Sequence, residues 1–290
     1  MKPNESRRLG AILPILLVLT VACGAGDRSQ HDPMPTEGDA ARANAAPAVS
    51  AELLLARARE AVADPLRPEE DRMRDADRRP AELLAFFRIG EGMRVADLQG
   101  TAGYYTELLS SVVGPQGRVY VQNNDFVLSR FAGEPLTQRL LRLKAADRIN
   151  VERVDAEVDE MELPAGIDAA IFVRFYHDLF WLPTPDGDLA DRAEFLRRVY
   201  AALKPGGVFG IVDHHAEPGS GARDAADAES GLHRIDVGLV KHEVLAAGFE
   251  LEAESDLLSN PADTRDWNIF KENRRDKTDR FVLRFVKPRS

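Results

Sequence analysis

Met93–Leu109, MRVADLQGTAGYYTELL, constrains the chain more than any other stretch. Val95, Ala96 and Leu98 read as a buried strand with Asp97 near its end, Gly100 and Gly103 fall in a short loop, and Tyr104 opens a helix that runs to about Val113. A strand that turns through glycines into a helix is how α/β proteins build a cradle for a nucleotide or cofactor at the carboxyl end of the first strand. The frame is that of a cradle, yet Gln99 and Thr101 stand where glycine is usual. If either needs a positive φ, the strain amounts to about 1 kcal/mol or more.

The pattern that follows is regular. A helix over Ala81–Arg88 leads into the strand at 93–98 and the helix at 103–113. Strands are expected at 118–123 (RVYVQN), 149–154, 167–175, 208–213, 249–255 and 279–286. Helices are expected at 134–147, 190–203 (stopped by Lys204-Pro205-Gly206-Gly207) and 236–247, with Asp236 as N-cap. Alternating strands and helices give a parallel sheet covered on both faces. The expected fold is therefore a Rossmann-like, doubly wound α/β sheet of seven strands. It is mostly parallel, with an antiparallel C-terminal edge pair, in a single domain.

Ahead of that domain, Lys2, Arg7 and Arg8 precede an apolar run over 9–22 that is short for a membrane span and contains Pro14. The single cysteine, Cys23, directly follows it. Residues 1–22 read as an export signal of the bacterial lipoprotein kind, with Cys23 as the lipidated N-terminus and the protein anchored to a membrane of the cell envelope, facing the periplasm. With one cysteine there is no internal disulfide. Residues 23–50, rich in Ala, Pro, Gly, Asp and Ser, read as a flexible tether. Residues 51–79 comprise a short amphipathic helix, 51–63, and a dense charge run that is either a solvated linker or a lid over the cofactor mouth. The net charge of −10 disfavours a phosphate backbone as partner, so nucleic acid is not expected.

From about residue 80 to 290 the chain resembles class I S-adenosylmethionine-dependent methyltransferases. The resemblance rests on the strand–loop–helix at 93–109, on GPQGRVY at 114–120, on IDAAIFVRFYHDL at 167–179 and on LKPGGVFGIVDH at 203–214. The finer pattern (FYHD, DHHAEPGSG, LHRID, KTDRFVLRFVKP) resembles an exported bacterial group of predicted methyltransferases. The resemblance implies S-adenosylmethionine as cofactor. Asp97 would hold its amino-acid moiety, and Gly100, Gly103 and Tyr104 would line it. Asn123 would stand in for the acid that grips the ribose, and Asp155 would lie near the adenine. Gln99, Thr101 and Asn123 depart from the family pattern and weigh against cofactor binding, because asparagine lacks the charge and the two-oxygen grip of a carboxylate.

Two further groups fall at the carboxyl edge of such a sheet. His177 and Asp178 follow the fourth strand, and His214 ends the fifth; these three are the candidate catalytic residues, an acid–base group beside the methyl acceptor. Asp213, His214, His215 and Glu217 invite a metal reading. Adjacent strand residues point to opposite faces, so both histidines on one ion would need a loop, and no metal ligand is assigned. His233 could reach the mouth, although a structural role fits it better. Three functions are compatible with these residues. The leading one is a methyltransferase acting on an unidentified small molecule or envelope protein. The second is a non-catalytic ligand- or protein-binding envelope lipoprotein that keeps the fold. The third, a metal-dependent hydrolase, lacks a recognisable ligand spacing. If Cys23 carries the anchor, Cys23→Ser should shift the protein from the membrane pellet to the soluble fraction and abolish labelling by a fatty-acid probe. A variant still in the pellet and still labelled would refute the assignment.

Overall fold

The computed structural model describes residues 50–289 apart from 228–230, 272, 273 and 275. The export signal, Cys23 and nearly all of the expected tether lie outside the described residues. Residues from Ala48 onward form one compact unit. Among the described residues, no helix is long and apolar enough to cross a membrane.

Seven strands form one sheet: β1 (Arg94–Leu98), β2 (Arg118–Asn123), β3 (Val151–Asp155), β4 (Ile167–Val173), β5 (Leu203–His214), β6 (Glu250–Ser255) and β7 (Arg280–Val286). Their spatial order is β3-β2-β1-β4-β5-β7-β6. β7 inserts between β5 and β6 and runs antiparallel to both. The order reverses between β1 and β4, which pair directly through Asp97 with Ile171 and Leu98 with Phe172. A crevice must open there, because the crossovers from the two strands leave toward opposite faces.

The helices are α1 (Ala51–Val62), α2 (Pro80–Phe86), α3 (Tyr104–Val113), α4 (Gly133–Ala145), α5 (Arg192–Ala202) and α6 (Val237–Ala246). Period-two alternation along the strands divides the core between the two faces of the sheet. Val95, Val119, Ile171 and Val212 face α1, α2 and α3 through Ala58, Leu83, Leu84, Phe87, Leu108 and Leu109. Ala96, Leu98, Phe172, Phe209 and Leu283 face α5 and α6 through Phe195, Leu196, Val199, Val240 and Val244. Both faces being covered, the central strands are mostly apolar, with buried polar residues gathered toward their carboxyl ends.

β5 begins at Leu203, through the Lys204-Pro205-Gly206-Gly207 stretch expected only to stop the helix, and two other segments bear on the expectations. The charge run is ordered, with helical turns at Glu69–Arg72 and Asp75–Arg78, because its charges find partners in the domain. The Arg67 guanidinium, almost fully buried, pairs with Asp75 at 2.7 Å, and Lys277 meets Asp77 at 2.8 Å. The chain after β4 leaves the strand at Val173 and winds into a 3-10 turn, His177–Phe180.

Gly210 in β5 lets α2 approach closely: a Cβ there would lie 2.7 Å from the Phe87 ring. Gly210→Ala should therefore destabilise the fold by about 1–3 kcal/mol through overpacking. A urea midpoint equal to wild type would show that the ring is free to move aside.

Candidate active site

The β1–α3 loop keeps the shape of a glycine loop with two bulkier residues in it. Gln99 and Thr101 both adopt left-handed φ, 47° and 51°, which is most unfavourable for a β-branched side chain. The strain is held by amides at the end of β2. The Gln99 backbone N–H donates to Gln122 Oε1 (3.1 Å), and Thr101 N–H donates to Asn123 Oδ1 (2.7 Å). Asn123 Nδ2 in turn donates to the Thr101 carbonyl (3.2 Å). Asn123 is fully buried behind the loop and is absent from the cavity wall; its side chain is spent on bracing the loop and not on gripping a ribose. Asp155 is also outside the cavity, half-exposed and paired with Arg153 at 2.7 Å.

Above the loop lies a cavity of about 610 Å³, within the range of small-molecule sites. Asp97, Gln99, Gly100, Thr101, Ala102 and Tyr104 form its floor. Asp97 is buried and accepts from Thr106 Oγ1 at 2.6 Å. Burial lifts its carboxyl to about 7, against the opposing pull of that hydroxyl and of Arg139. Gln99 Oε1 accepts from Asn124 N–H at 3.3 Å, while its Nε2 is buried with no hydrogen-bond partner. The loop side chains thus leave the space above them open. Gly103 is not part of the wall; at φ +83° it makes room for Arg139, whose Cδ would be 2.9 Å from a Cβ at that position. Arg139 bonds the Ala102 carbonyl at 2.5 Å, Asp71 at 2.7 Å and Glu107.

The charge run roofs the loop, with Asp71, Arg74 and Arg78 in the cavity wall. Tyr104 Oη donates to Asp75 at 2.5 Å, and the Arg78 guanidinium sits 4.6 Å from the Tyr104 ring centroid. Aromatic side chains from three loops complete the wall: Phe126 and Phe131 after β2, Phe175 and Trp181 after β4, and Phe270 before β7.

The far wall brings His177, Asp178, His214 and His233 together. His177 is buried and clamped to the end of β5: its backbone N–H donates to Asp213 Oδ2 at 2.8 Å, and its Nδ1 lies 2.7 Å from Asp213 Oδ1. Its Nε2 is 3.1 Å from Asp178 Oδ1. Burial disfavours a charge on His177, but the carboxylates of Asp178 and Asp213 outweigh burial and lift the ring to about 10. Asp178, although burial opposes it, is drawn down to about 2 by His177. The two carboxylates thus favour the protonated ring, which works against a role as base in the absence of a ligand. His214 is committed as well. Its Nδ1 is 2.6 Å from Thr278 Oγ1, and its Nε2 accepts from Arg174 Nε at 3.1 Å. Burial, reinforced by Arg174, holds its pKa well below the usual histidine value. With both nitrogens engaged, His214 is placed to position Arg174. His215 is packed against Phe281, centroids 5.1 Å apart, and neither it nor Glu217 lines the cavity; the four-residue metal reading at 213–217 is not assembled.

Sequence reasoning passed over Arg174, Trp181 and Arg139, and underrated His233. Arg174 has φ 65°, bonds Asp276 at 2.6 Å and is lowered to about 10 by burial and by Arg78. His233 has φ 55° and enters from a loop beyond β5. Only the LHRID pattern hinted at it.

No protein-family model matches the sequence, and no curated protein matches it. Among solved structures, an S-adenosylmethionine-dependent methyltransferase from Aquifex aeolicus is similar over 80% of this chain and 97% of its own, with TM-score 0.51 and 18% identity. The [4+2]-cyclase SpnF is similar over 76% of this chain and 81% of its own, with TM-score 0.51 and 16% identity. The chain has a class I methyltransferase-like fold. One of these neighbours is named a methyltransferase and the other a cyclase, so the fold alone leaves the reaction to be argued from the site.

The amide brace gives a direct test of the loop. Asn123→Ala leaves the Thr101 N–H and carbonyl without their partner and should lower stability by about 1–3 kcal/mol. An unchanged denaturation midpoint would show that the loop holds its own strain.

Proposed function

We propose that the protein is an S-adenosylmethionine-dependent methyltransferase acting on an acceptor small enough to enter the cavity. The observation that carries this reading is the open cavity above the β1–α3 loop, with a buried carboxylate and an unpartnered amide donor in its wall. The residues present fit such a cofactor. Asp97 suits an ammonium group, and Gln99 Nε2 can donate to a carboxylate or hydroxyl oxygen. The guanidinium groups of Arg74 and Arg78 can balance a carboxylate. The name of the Aquifex protein, which shares the fold over nearly its whole length, supports the same class.

When bound, S-adenosylmethionine supplies an electrophilic methyl group on a sulfonium. The chain's own contribution is orientation and exclusion of water. The aromatic walls, Phe126 and Trp181 packed edge-to-face with centroids 5.9 Å apart, shield the space and offer ring faces to a cation. Asp178, held ionised, can accept a hydrogen bond from an acceptor's O–H or N–H and fix its approach. A scaffold role without chemistry is less well supported, since neither Gln99 nor Thr101 fills the space. We also infer an envelope location through a lipid on Cys23, supported by the apolar run that precedes it.

Asp97 makes the reading testable through pH. Its folded value near 7 lies above that of an unfolded aspartate, so the native state holds the extra proton between about pH 4 and 7. Stability falls as pH rises through that window. A cationic ligand group favours the charged form, so binding below pH 7 expels a proton, and affinity should rise by up to about tenfold per pH unit until it levels off above 7. Calorimetry with S-adenosylmethionine and S-adenosylhomocysteine should show that rise. Asp97→Asn should bind more weakly at pH 8 and lose the pH dependence. Absence of heat and of any thermal shift with either compound would overturn the proposal.

A further inference from the structure

We infer that His177, Asp178 and His233 form a binding site for a divalent transition-metal ion of the zinc class, open to the cavity. Each offers one donor atom, and the three atoms lie within 4.8 Å of one another. Asp178 Oδ1 is 3.1 Å from His177 Nε2 and 3.6 Å from His233 Nδ1. Two ligand atoms about 2.1 Å from zinc at a tetrahedral angle are about 3.4 Å apart, so the two carboxylate–histidine spacings bracket what the ion requires.

The second observation is the state of His177 Nε2. The ring is about 1% exposed, it lines the cavity, and Nε2 makes no aligned hydrogen bond with any described residue. The buried nitrogen and the carboxylate lie side by side at 3.1 Å without an aligned bond, so both can turn toward one ion beside them. The surroundings are those of a metal-bound histidine. The other ring nitrogen, Nδ1, is held at 2.7 Å by the fully buried Asp213 carboxylate. Such a carboxylate–histidine contact orients the ring and strengthens it as a ligand. Trp181 Nε1 donates to Asp178 Oδ1 at 2.7 Å and fixes the carboxylate in turn. Phe270 packs against the His233 ring, centroids 4.8 Å apart.

Charge favours the same occupant. Asp178 and Asp213 place two carboxylates around His177, and a divalent ion satisfies them as a proton does, while adding a bond to His233. Two imidazoles and one carboxylate suit zinc or ferrous iron better than magnesium or calcium, which prefer oxygen ligands. Three protein ligands leave a fourth position, and all three residues face the cavity, so a water or a heteroatom of a small molecule can complete the shell. The inference does not depend on methyl transfer, because the site would exist whether or not the β1–α3 loop binds a cofactor.

The purified full-length protein, stripped with a chelator and then dialysed against Zn²⁺, should retain one zinc per chain by elemental analysis. Chelation should lower its melting temperature, and zinc should restore it. His177→Ala, His233→Gln and Asp178→Asn should each lose the bound ion, whereas His242→Ala, on the exposed face of α6, should keep it. Asp213→Asn should weaken zinc binding by about 10- to 100-fold. Circular dichroism identifies any variant that has failed to fold, and the folded variants then decide. Failure of the wild-type protein to hold stoichiometric zinc would overturn the inference, as would full retention in folded His233→Gln and Asp178→Asn. Calorimetry with S-adenosylmethionine on the zinc-free protein separates this result from the proposed cofactor reading.

Discussion

The site depends on the amide brace between the end of β2 and the β1–α3 loop. Two residues with side chains occupy left-handed backbone positions, and nothing in their own chemistry favours that conformation. What holds them is the row Gln122, Asn123 and Asn124, whose side chains or backbone bond the loop at five points. Asn124 is fixed in turn by Glu157, with Nδ2 to Oε2 at 3.2 Å. The cavity floor is thus shaped by a buried polar network that is closed except at Gln99 Nε2, a buried donor without a hydrogen-bond partner. A network of this kind is rigid because each lost contact exposes an unmet partner.

That brace also explains how the departures from a glycine-rich loop are reconciled with an open site. Gln99 and Thr101 were expected to crowd a ligand. Their backbone keeps the glycine-like path, so their Cβ atoms do not close the cavity. Asn123, which from sequence alone stood in for a ribose-binding acid, is the residue that makes this path tolerable. One substitution compensates for the others, and the compensation is visible only when the side chains are seen to meet.

The sheet was legible because a doubly covered parallel sheet imprints largely apolar strands; every expected strand is present, although β5 begins at Leu203, ahead of the expected 208. The convergence of 97–104, 177–178 and 214 followed from topology. Three things were not legible. The choice between solvated linker and lid for 64–79 stayed open because its partners, Arg139, Tyr104 and Lys277, are distant in sequence. The engagement of both nitrogens of His214 depends on Arg174 and on Thr278, more than sixty residues downstream. The approach of His233 to Asp178 needs a left-handed turn in a loop that carries no periodic signal.

The antiparallel insertion of β7 bears on how the walls of the site are tied together. Asp276 and Thr278, on the approach to β7, hold Arg174 and His214. From the same stretch Lys277 bonds the Asp77 carboxylate, and Arg280, the first residue of β7, bonds the Asp77 carbonyl in the roof. One stretch of chain thus secures both the far wall and the roof, through a strand seated between β5 and β6. A loosening of β7 would open the cavity from two sides at once.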